Sequence, residues 1–283
     1  MTIQETYHLL QEALKNIYDT DEANNIADLV IEHVTGYKKL GRITHKQLVL
    51  TEQQIHAIDT FKSALLQNKP VQYVLQEAWF YEMKFYVNEH VLIPRPKTEE
   101  LIELIIKTNN PISNILDIGT GSGCIPITLK KKIPHTTIVT IDVSEDALVV
   151  AKKNAAELNV EIELNQLNFL DETNWNELGI FDIIVSNPPY IKQSEIINMQ
   201  PNVVANEPHI ALFVADDDAL VFYRKIAAFG KTHLTINGKI FVEINEALGN
   251  ETISLFEEFG YRAELKKDMQ GKNRMIVADV INR

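Results

Sequence analysis

From about residue 111 onward, short apolar runs alternate with helical segments, and this alternation constrains the fold more than any other feature of the sequence. Residues 114–118, 136–141, 162–167, 181–185, 239–244, 261–265 and 274–280 read as seven strands. Helical patterns intervene at 124–132, 146–158, 219–233 and 248–259. Strands separated by helices pair in parallel, in a sheet covered on both faces. The last two strands are joined only by residues 266–273, too short for a helical crossover, so they pair antiparallel. The expected fold class is α/β, a mostly parallel seven-stranded sheet whose last strand runs antiparallel. A plain dinucleotide-binding fold has no such strand.

The fourth strand ends in Ser186-Asn187-Pro188-Pro189-Tyr190. Two consecutive prolines cannot continue a sheet, because neither has an N–H and each fixes its own φ. The residue before each proline is pushed towards extended conformations. The chain therefore leaves the sheet as a stiff arch at the strand's C-terminal edge, where ligands bind in open α/β sheets. This arch presents an amide (Asn187), carbonyls without a paired N–H (Pro188, Pro189) and an aromatic face (Tyr190). Such a set suits a planar group bearing an NH2: the Asn187 oxygen and a proline carbonyl each accept one hydrogen, and Tyr190 packs against the plane. An isolated Asn-Pro-Pro also serves as an ordinary turn, and these residues by themselves leave both readings open.

Between the first strand and its helix lies Gly119-Thr120-Gly121-Ser122-Gly123, preceded by Asp117. The dinucleotide fingerprint would need glycine at 124, where Cys124 stands, and no Gly-Lys-Ser/Thr follows to make a phosphate-binding loop. Asp142 ends the next strand, about 20 residues on, where an acid can accept both ribose hydroxyls of an adenosine ligand. It is equally a helix-start acid favoured by the dipole. Asp117, beside the loop, can answer an ammonium group. S-adenosylmethionine, with sulfonium, ammonium and ribose, fits this acidic site better than a pyrophosphate does.

Charge narrows the partners. The chain has 283 residues with 39 Asp+Glu against 27 Lys+Arg, a formal charge of −12. The densest basic run, Lys130-Lys131-Lys132, reads as a solvated helix end, which argues against direct nucleic-acid binding. One cysteine, Cys124, excludes an internal disulfide, and the eight histidines are dispersed, so no metal site is expected. No apolar run approaches the roughly 20 residues needed to span a bilayer. The N-terminus, with Glu5 and Glu12 among apolar residues, is unlike a signal peptide. A cytoplasmic monomer without membrane contact is the expectation.

Residues 1–70 read as a helical bundle. Tyr7, Leu10, Leu14, Ile17 and Tyr18 recur at helical spacing, as do Ile26, Leu29, Val30, Val34 and Tyr37, with Gly36 as a stop. A third pattern runs through Ile55, Ile58, Phe61, Ala64 and Leu65, with Thr51 and Gln54 as a capping box. Residues 71–95 turn aromatic and β-branched around the polar Asn88-Glu89, which suggests a linking β-hairpin. Residues 96–283 then make the α/β domain.

Taken together these pieces resemble the release factor glutamine methyltransferases. The matching segments are 92–99 (through Pro94-Arg95-Pro96-Lys97-Thr98), 116–123, 185–191, Glu207-Pro208 and 267–274, in the family's order along essentially the whole chain. The resemblance implies a Rossmann-like methyltransferase domain behind a small N-terminal helical domain that recognises the substrate. It implies methyl transfer from S-adenosyl-L-methionine, leaving S-adenosyl-L-homocysteine, to the side-chain amide N5 of the glutamine in a Gly-Gly-Gln segment. The substrate would be a class I peptide chain release factor, so that the reaction supports translation termination. By resemblance Gly119, Thr120, Gly121, Ser122, Gly123, Asp142 and Phe169 bind the cofactor, and Asn187 contacts both cofactor and substrate. Asn187, Pro188, Pro189 and Tyr190 hold the target glutamine and make the catalytic arch. Asn168 stands where the family usually has Asp, and Leu75-Gln76 lacks a glycine common before the hairpin. A competing reading is a nucleic-acid amine methyltransferase acting on adenine N6 or guanine N2, for which the same arch would serve with a flipped base. Another is a non-catalytic adaptor that binds the cofactor and docks through its helical domain.

Overall fold

The structure is a computed structural model that describes residues 1–108 and 112–281. The chain divides into two compact units, Met1–Glu77 with Pro201–Asn206, and Ala78–Gln200 with Glu207–Arg283. The expected onset of strand–helix alternation at 111 and the chain end at 283 lie outside the described residues. Among those residues, no helix is long and apolar enough to cross a membrane.

In the first unit, α1 (Ile3–Leu14), α2 (Thr20–Thr35), α3 (Lys39–Thr44), α4 (Glu52–Leu65) and α5 (Val71–Leu75) enclose a core that includes Leu10, Leu14, Val30, Ile31 and Leu65. The capping box read from Thr51 and Gln54 is present: each side chain accepts the other's backbone N–H, at 3.2 and 3.0 Å. Thr2 and Glu5 build a second one on α1. Ile17 and Leu29, counted into the apolar stripes from spacing, are exposed, Ile17 because α1 ends before it. Gln76 closes α5 in the left-handed region at φ 56°, a conformation that favours glycine.

The second unit opens with a hairpin of β1 (Ala78–Phe80) and β2 (Met83–Phe85), shorter than the aromatic stretch suggested. Its turn is Tyr81-Glu82, both at positive φ, and not Asn88-Glu89. That conformation disfavours side chains, and here it is held from α6 (Pro96–Ile106): Glu99 accepts the Tyr81 N–H at 2.8 Å and Glu103 accepts its hydroxyl.

Beyond α6 the chain runs β3 (Asn114–Ile118), α7 (Cys124–Lys132), β4 (Thr137–Asp142), α8 (Glu145–Glu157), β5 (Glu163–Gln166) and β6 (Phe181–Ser186). The excursion that follows, for which the sequence pattern gave no element, holds β7 (Ile191–Lys192), α9 (Pro201–Asn206), α10 (His209–Leu212) and β8 (Phe213–Val214). Then come α11 (Val221–His233), β9 (Leu234–Glu243), α12 (Gly249–Glu258), β10 (Tyr261–Lys267) and β11 (Asn273–Val280). The seven-stranded sheet has the order β10-β11-β9-β6-β3-β4-β5. Every pairing from β9 to β5 is parallel, whereas β11 runs antiparallel to both neighbours. The antiparallel strand is thus internal: the crossover through α12 skips one position and the closing hairpin fills it.

Alternate residues of β3 serve opposite faces. Leu116 and Ile118 pack into one apolar cluster and Ile115 into the other, as expected for a strand buried on both sides. The register also fixes the site. Ile118 lies opposite Ile141 on one side and Ser186 on the other, so β3, β4 and β6 end level with one another. With strands about 4.8 Å apart, whatever follows these three ends shares one edge of the sheet. The chain order reverses here, from β3 outward to β5 and then back to β6, which is where open α/β sheets leave a crevice.

Candidate active site

A cleft of about 340 Å³ opens at that edge, within the range of small-molecule sites. Gly119, Thr120, Gly121 and Ser122 line it after β3, Asp142 at the end of β4, Asn168 and Phe169 after β5, and Asn187 and Pro189 after β6. Four separately read segments therefore meet at one opening. Gly123, Pro188 and Tyr190 are not among the lining residues.

The glycine turn is shaped by its own hydrogen bonds. Gly119 N–H donates to the Ile141 carbonyl at 2.9 Å and Gly121 N–H to Asp142 Oδ2 at 2.9 Å. Gly121 has φ 53°, open to glycine without strain, and an added Cβ would meet nothing within 4 Å. Gly123 is different: at φ 80° its added Cβ would lie 3.0 Å from Ile127 and 3.2 Å from Ala151. It permits the start of α7 to pack closely and does not face the cleft.

Asp142 Oδ1 accepts the Ser144 N–H at 2.9 Å, so each carboxylate oxygen holds one backbone donor and keeps capacity for a ligand hydroxyl. Burial pushes this carboxyl up, opposed by the backbone N–H groups of Gly121, Ser144 and Val143. Phe169 stacks on Trp175 with centroids 5.6 Å apart, and Trp175 Nε1 donates to the Phe169 carbonyl at 2.9 Å, which fixes the ring at the cleft wall. Asn168 Oδ1 is engaged by the Leu170 N–H at 3.1 Å.

Asp117 lies behind the turn. It is fully buried and does not line the cleft, and its Oδ2 accepts the Thr140 hydroxyl at 2.8 Å. The structure thus gives it no direct path to a ligand ammonium. Burial pushes its carboxyl up to about 7, opposed by hydroxyls of Thr140 and Thr120 and reinforced by the nearby Asp142. Because the folded protein holds this proton where the unfolded chain has released it, stability should fall as pH rises from about 4 to about 7. A shift of this size corresponds to ~4 kcal/mol at most. Asp117→Asn, which cannot ionise, should flatten that slope in urea unfolding series at stepped pH. An unchanged slope in the variant would remove the assignment.

The arch is tied to elements that local sequence does not connect. Asn187 Nδ2 donates to Thr98 Oγ1 at 3.3 Å, and Thr98 Oγ1 donates to Glu243 Oε2 at 2.7 Å. Tyr190 turns its hydroxyl onto Glu243 Oε1 at 3.1 Å, its ring packed against a core cluster instead of offering a face to the cleft. Asn245 Nδ2 donates to the Tyr190 carbonyl at 3.3 Å. On the cleft wall, Arg95 Nη2 donates to Glu207 Oε1 at 2.5 Å, and Glu207 Oε2 accepts the Ile93 N–H at 3.2 Å. The sequence reading gave Thr98 and Glu243 no role. Glu243 carried a signal nonetheless, an acid at the end of an apolar strand, the same signal that singled out Asp142.

Known proteins share this architecture. A family model described as PrmC N-terminal domain matches residues 5–75, and one described as Methyltransferase small domain matches residues 97–210. The chain is 44% identical over 271 residues to a release factor glutamine methyltransferase from Flavobacterium psychrophilum, with 94% of each chain covered. It is 37% identical over 271 residues to one from Bacteroides thetaiotaomicron, covering 95% of this chain and 97% of that one. A methyltransferase structure from Pyrococcus furiosus matches at TM-score 0.53 and 18% identity, over 78% of this chain and 98% of that one, a likeness of fold alone. With relatives this similar along nearly its whole length, the chain belongs to the release factor glutamine methyltransferases, a family of S-adenosylmethionine-dependent enzymes.

Proposed function

We propose that this protein transfers a methyl group from S-adenosyl-L-methionine to the side-chain amide N5 of the glutamine in a Gly-Gly-Gln segment of class I peptide chain release factors. The observation that carries the reading is that Asn187 and Pro189 line the same cleft as the glycine turn and Asp142, on three strand ends held level by register. The cleft residues fit the cofactor. Asp142 has acceptor capacity left for two ribose hydroxyls, Phe169 gives an apolar wall for adenine, and residues 119–122 let the backbone approach closely. When bound, S-adenosyl-L-methionine supplies an electrophilic methyl on a sulfonium and leaves as S-adenosyl-L-homocysteine.

The protein's own task is to orient a poor nucleophile, since an amide lone pair is delocalised into its carbonyl. As the substrate nitrogen bonds to carbon it gains positive charge and its N–H groups become stronger donors. Asn187 Oδ1, which accepts one of those hydrogens, then binds the transition state better than the ground state. Alignment of nitrogen with the methyl contributes further; well-oriented reactions gain roughly 7–11 kcal/mol. The proton departs after transfer, so no histidine or carboxylate pair is needed to remove it first. Recognition of the release factor falls to the helical unit, where Leu40 on α3 and Val49 are 75% and 67% exposed.

Labelled methyl transfer to purified release factor tests this directly, with a Gly-Gly-Ala release factor, DNA and ribosomal RNA as controls. Label is expected on the Gly-Gly-Gln protein alone. Label on nucleic acid in its place, or cofactor binding with no transfer to any acceptor, would overturn the proposal.

A further inference from the structure

The buried carboxylate at the end of β9 has no part in the chemistry described so far. Glu243 is 3% exposed and sits at the middle of a branched set of hydrogen bonds. One arm runs from Oε2 to Thr98 Oγ1 at 2.7 Å and on to Asn187 Nδ2 at 3.3 Å. The other runs from Oε1 to the Tyr190 hydroxyl at 3.1 Å, and the Glu243 backbone carbonyl accepts the Tyr223 hydroxyl at 3.1 Å. Thr98 is itself 2% exposed, so neither it nor Glu243 exchanges partners freely with water.

The direction of these bonds carries chemical information. An ionised carboxylate only accepts, so the single hydroxyl proton of Thr98 is committed to Glu243. Thr98 Oγ1 can then only accept from Asn187, and of the two ends of that amide only the NH2 donates. The amide nitrogen must face Thr98, which leaves Oδ1 for the cleft. We infer that Glu243 and Thr98 are positioning residues, a carboxylate–hydroxyl relay that fixes which end of the Asn187 amide meets the substrate, while the Tyr190 arm anchors the far side of the arch. Were the relay reversed, Asn187 would turn a donor towards the donor NH2 of a glutamine. The inference rests on the amide-methylating reading above.

Burial pushes the Glu243 carboxyl up, opposed first by the hydrogen bonds from the Thr98 and Tyr190 hydroxyls and then by the cations of Arg274 and Lys97. Through the hydrogen bonds from Thr98 to Glu243 and from Asn187 to Thr98, the Glu243 carboxylate acts on the substrate-facing oxygen without touching the substrate.

The test compares Thr98→Val, which keeps shape and removes the hydroxyl, with Thr98→Ser, which keeps the hydroxyl, and adds Glu243→Gln. Each variant is assayed as full-length protein for kcat and KM on release factor, for S-adenosyl-L-homocysteine affinity by calorimetry, and for its urea midpoint. In Thr98→Val and Glu243→Gln, kcat should fall about 10- to 100-fold, in the range that small misplacement of a reacting group produces. Product affinity should stay within about threefold in both, and Thr98→Ser should recover most of the lost rate. Normal kcat in Thr98→Val, no recovery in Thr98→Ser, or a parallel loss of product affinity and midpoint would each overturn the inference. A wild-type enzyme inactive on release factor would instead defeat the underlying reading, and the inference with it.

Discussion

Asn187→Ala should lower kcat for release-factor methylation by about 10²- to 10³-fold, the range seen when one pre-positioned polar group is removed from a transition-state site. The same variant should bind S-adenosyl-L-homocysteine within about threefold of wild type. The asymmetry follows from when the contact matters. A neutral amide N–H gains little from an acceptor in the ground state, because water would serve as well. Once the nitrogen carries positive charge, a fixed acceptor in a water-poor cleft is worth far more, and alanine has none to offer. The fold should tolerate the change, since the Asn187 side chain gives up one 3.3 Å hydrogen bond to Thr98 and the rigidity of the arch comes from Pro188 and Pro189. Steady-state kinetics on release factor with a parallel calorimetric titration decide the matter. Retained turnover would take Asn187 out of the chemistry, and equal losses in turnover and product affinity would make it a cofactor ligand.

Asp142→Ala should show the opposite profile. Two hydrogen bonds from ribose hydroxyls to a carboxylate contribute roughly 1.5–3 kcal/mol each, so product affinity should fall about 10²-fold or more. The loss includes an indirect part, because Asp142 also holds the Gly121 and Ser144 N–H groups at 2.9 Å and so shapes the glycine turn. At saturating cofactor, kcat should stay within about tenfold, as the ribose contact changes little between ground and transition states. Asp142→Asn should be nearly as weak as alanine. Both oxygens already accept from backbone donors, so the amide NH2 must face one N–H group with another donor. Affinity within threefold of wild type in either variant would reassign this acid to a purely structural cap.

Much of this organisation is legible locally because it depends on neighbours in the chain. The glycine turn shows itself through residues that tolerate positive φ, the arch through two prolines that cannot extend a strand, and the Thr51–Gln54 capping box through spacing alone. Phe169 came only by resemblance, since a buried aromatic after a strand has the same pattern whether it walls a cleft or fills a core. Tyr190 shows the limit: its place in the motif is plain, but its hydroxyl found a buried acid 53 residues away.

The hairpin turn was misplaced for a related reason. Tyr81 and Glu82 have no local preference for positive φ, and the conformation persists because Glu99 and Glu103 on α6 accept from Tyr81. Likewise, the link between residues 266 and 273 sets the antiparallel pairing of the last two strands but not the slot that β11 occupies between β10 and β9.

The sequence by itself determined the α/β alternation, the turn after β3, the acid at the end of β4 and the stiff bend after β6, because each follows from backbone rules acting over a few residues. Only the tertiary structure decided that Asn187 and Glu243, 89 and 145 residues beyond Thr98 along the chain, form one hydrogen-bonded relay with it. A buried polar group must be satisfied somewhere, but its partner is chosen by which strand ends the sheet register brings together, and no local pattern records that choice.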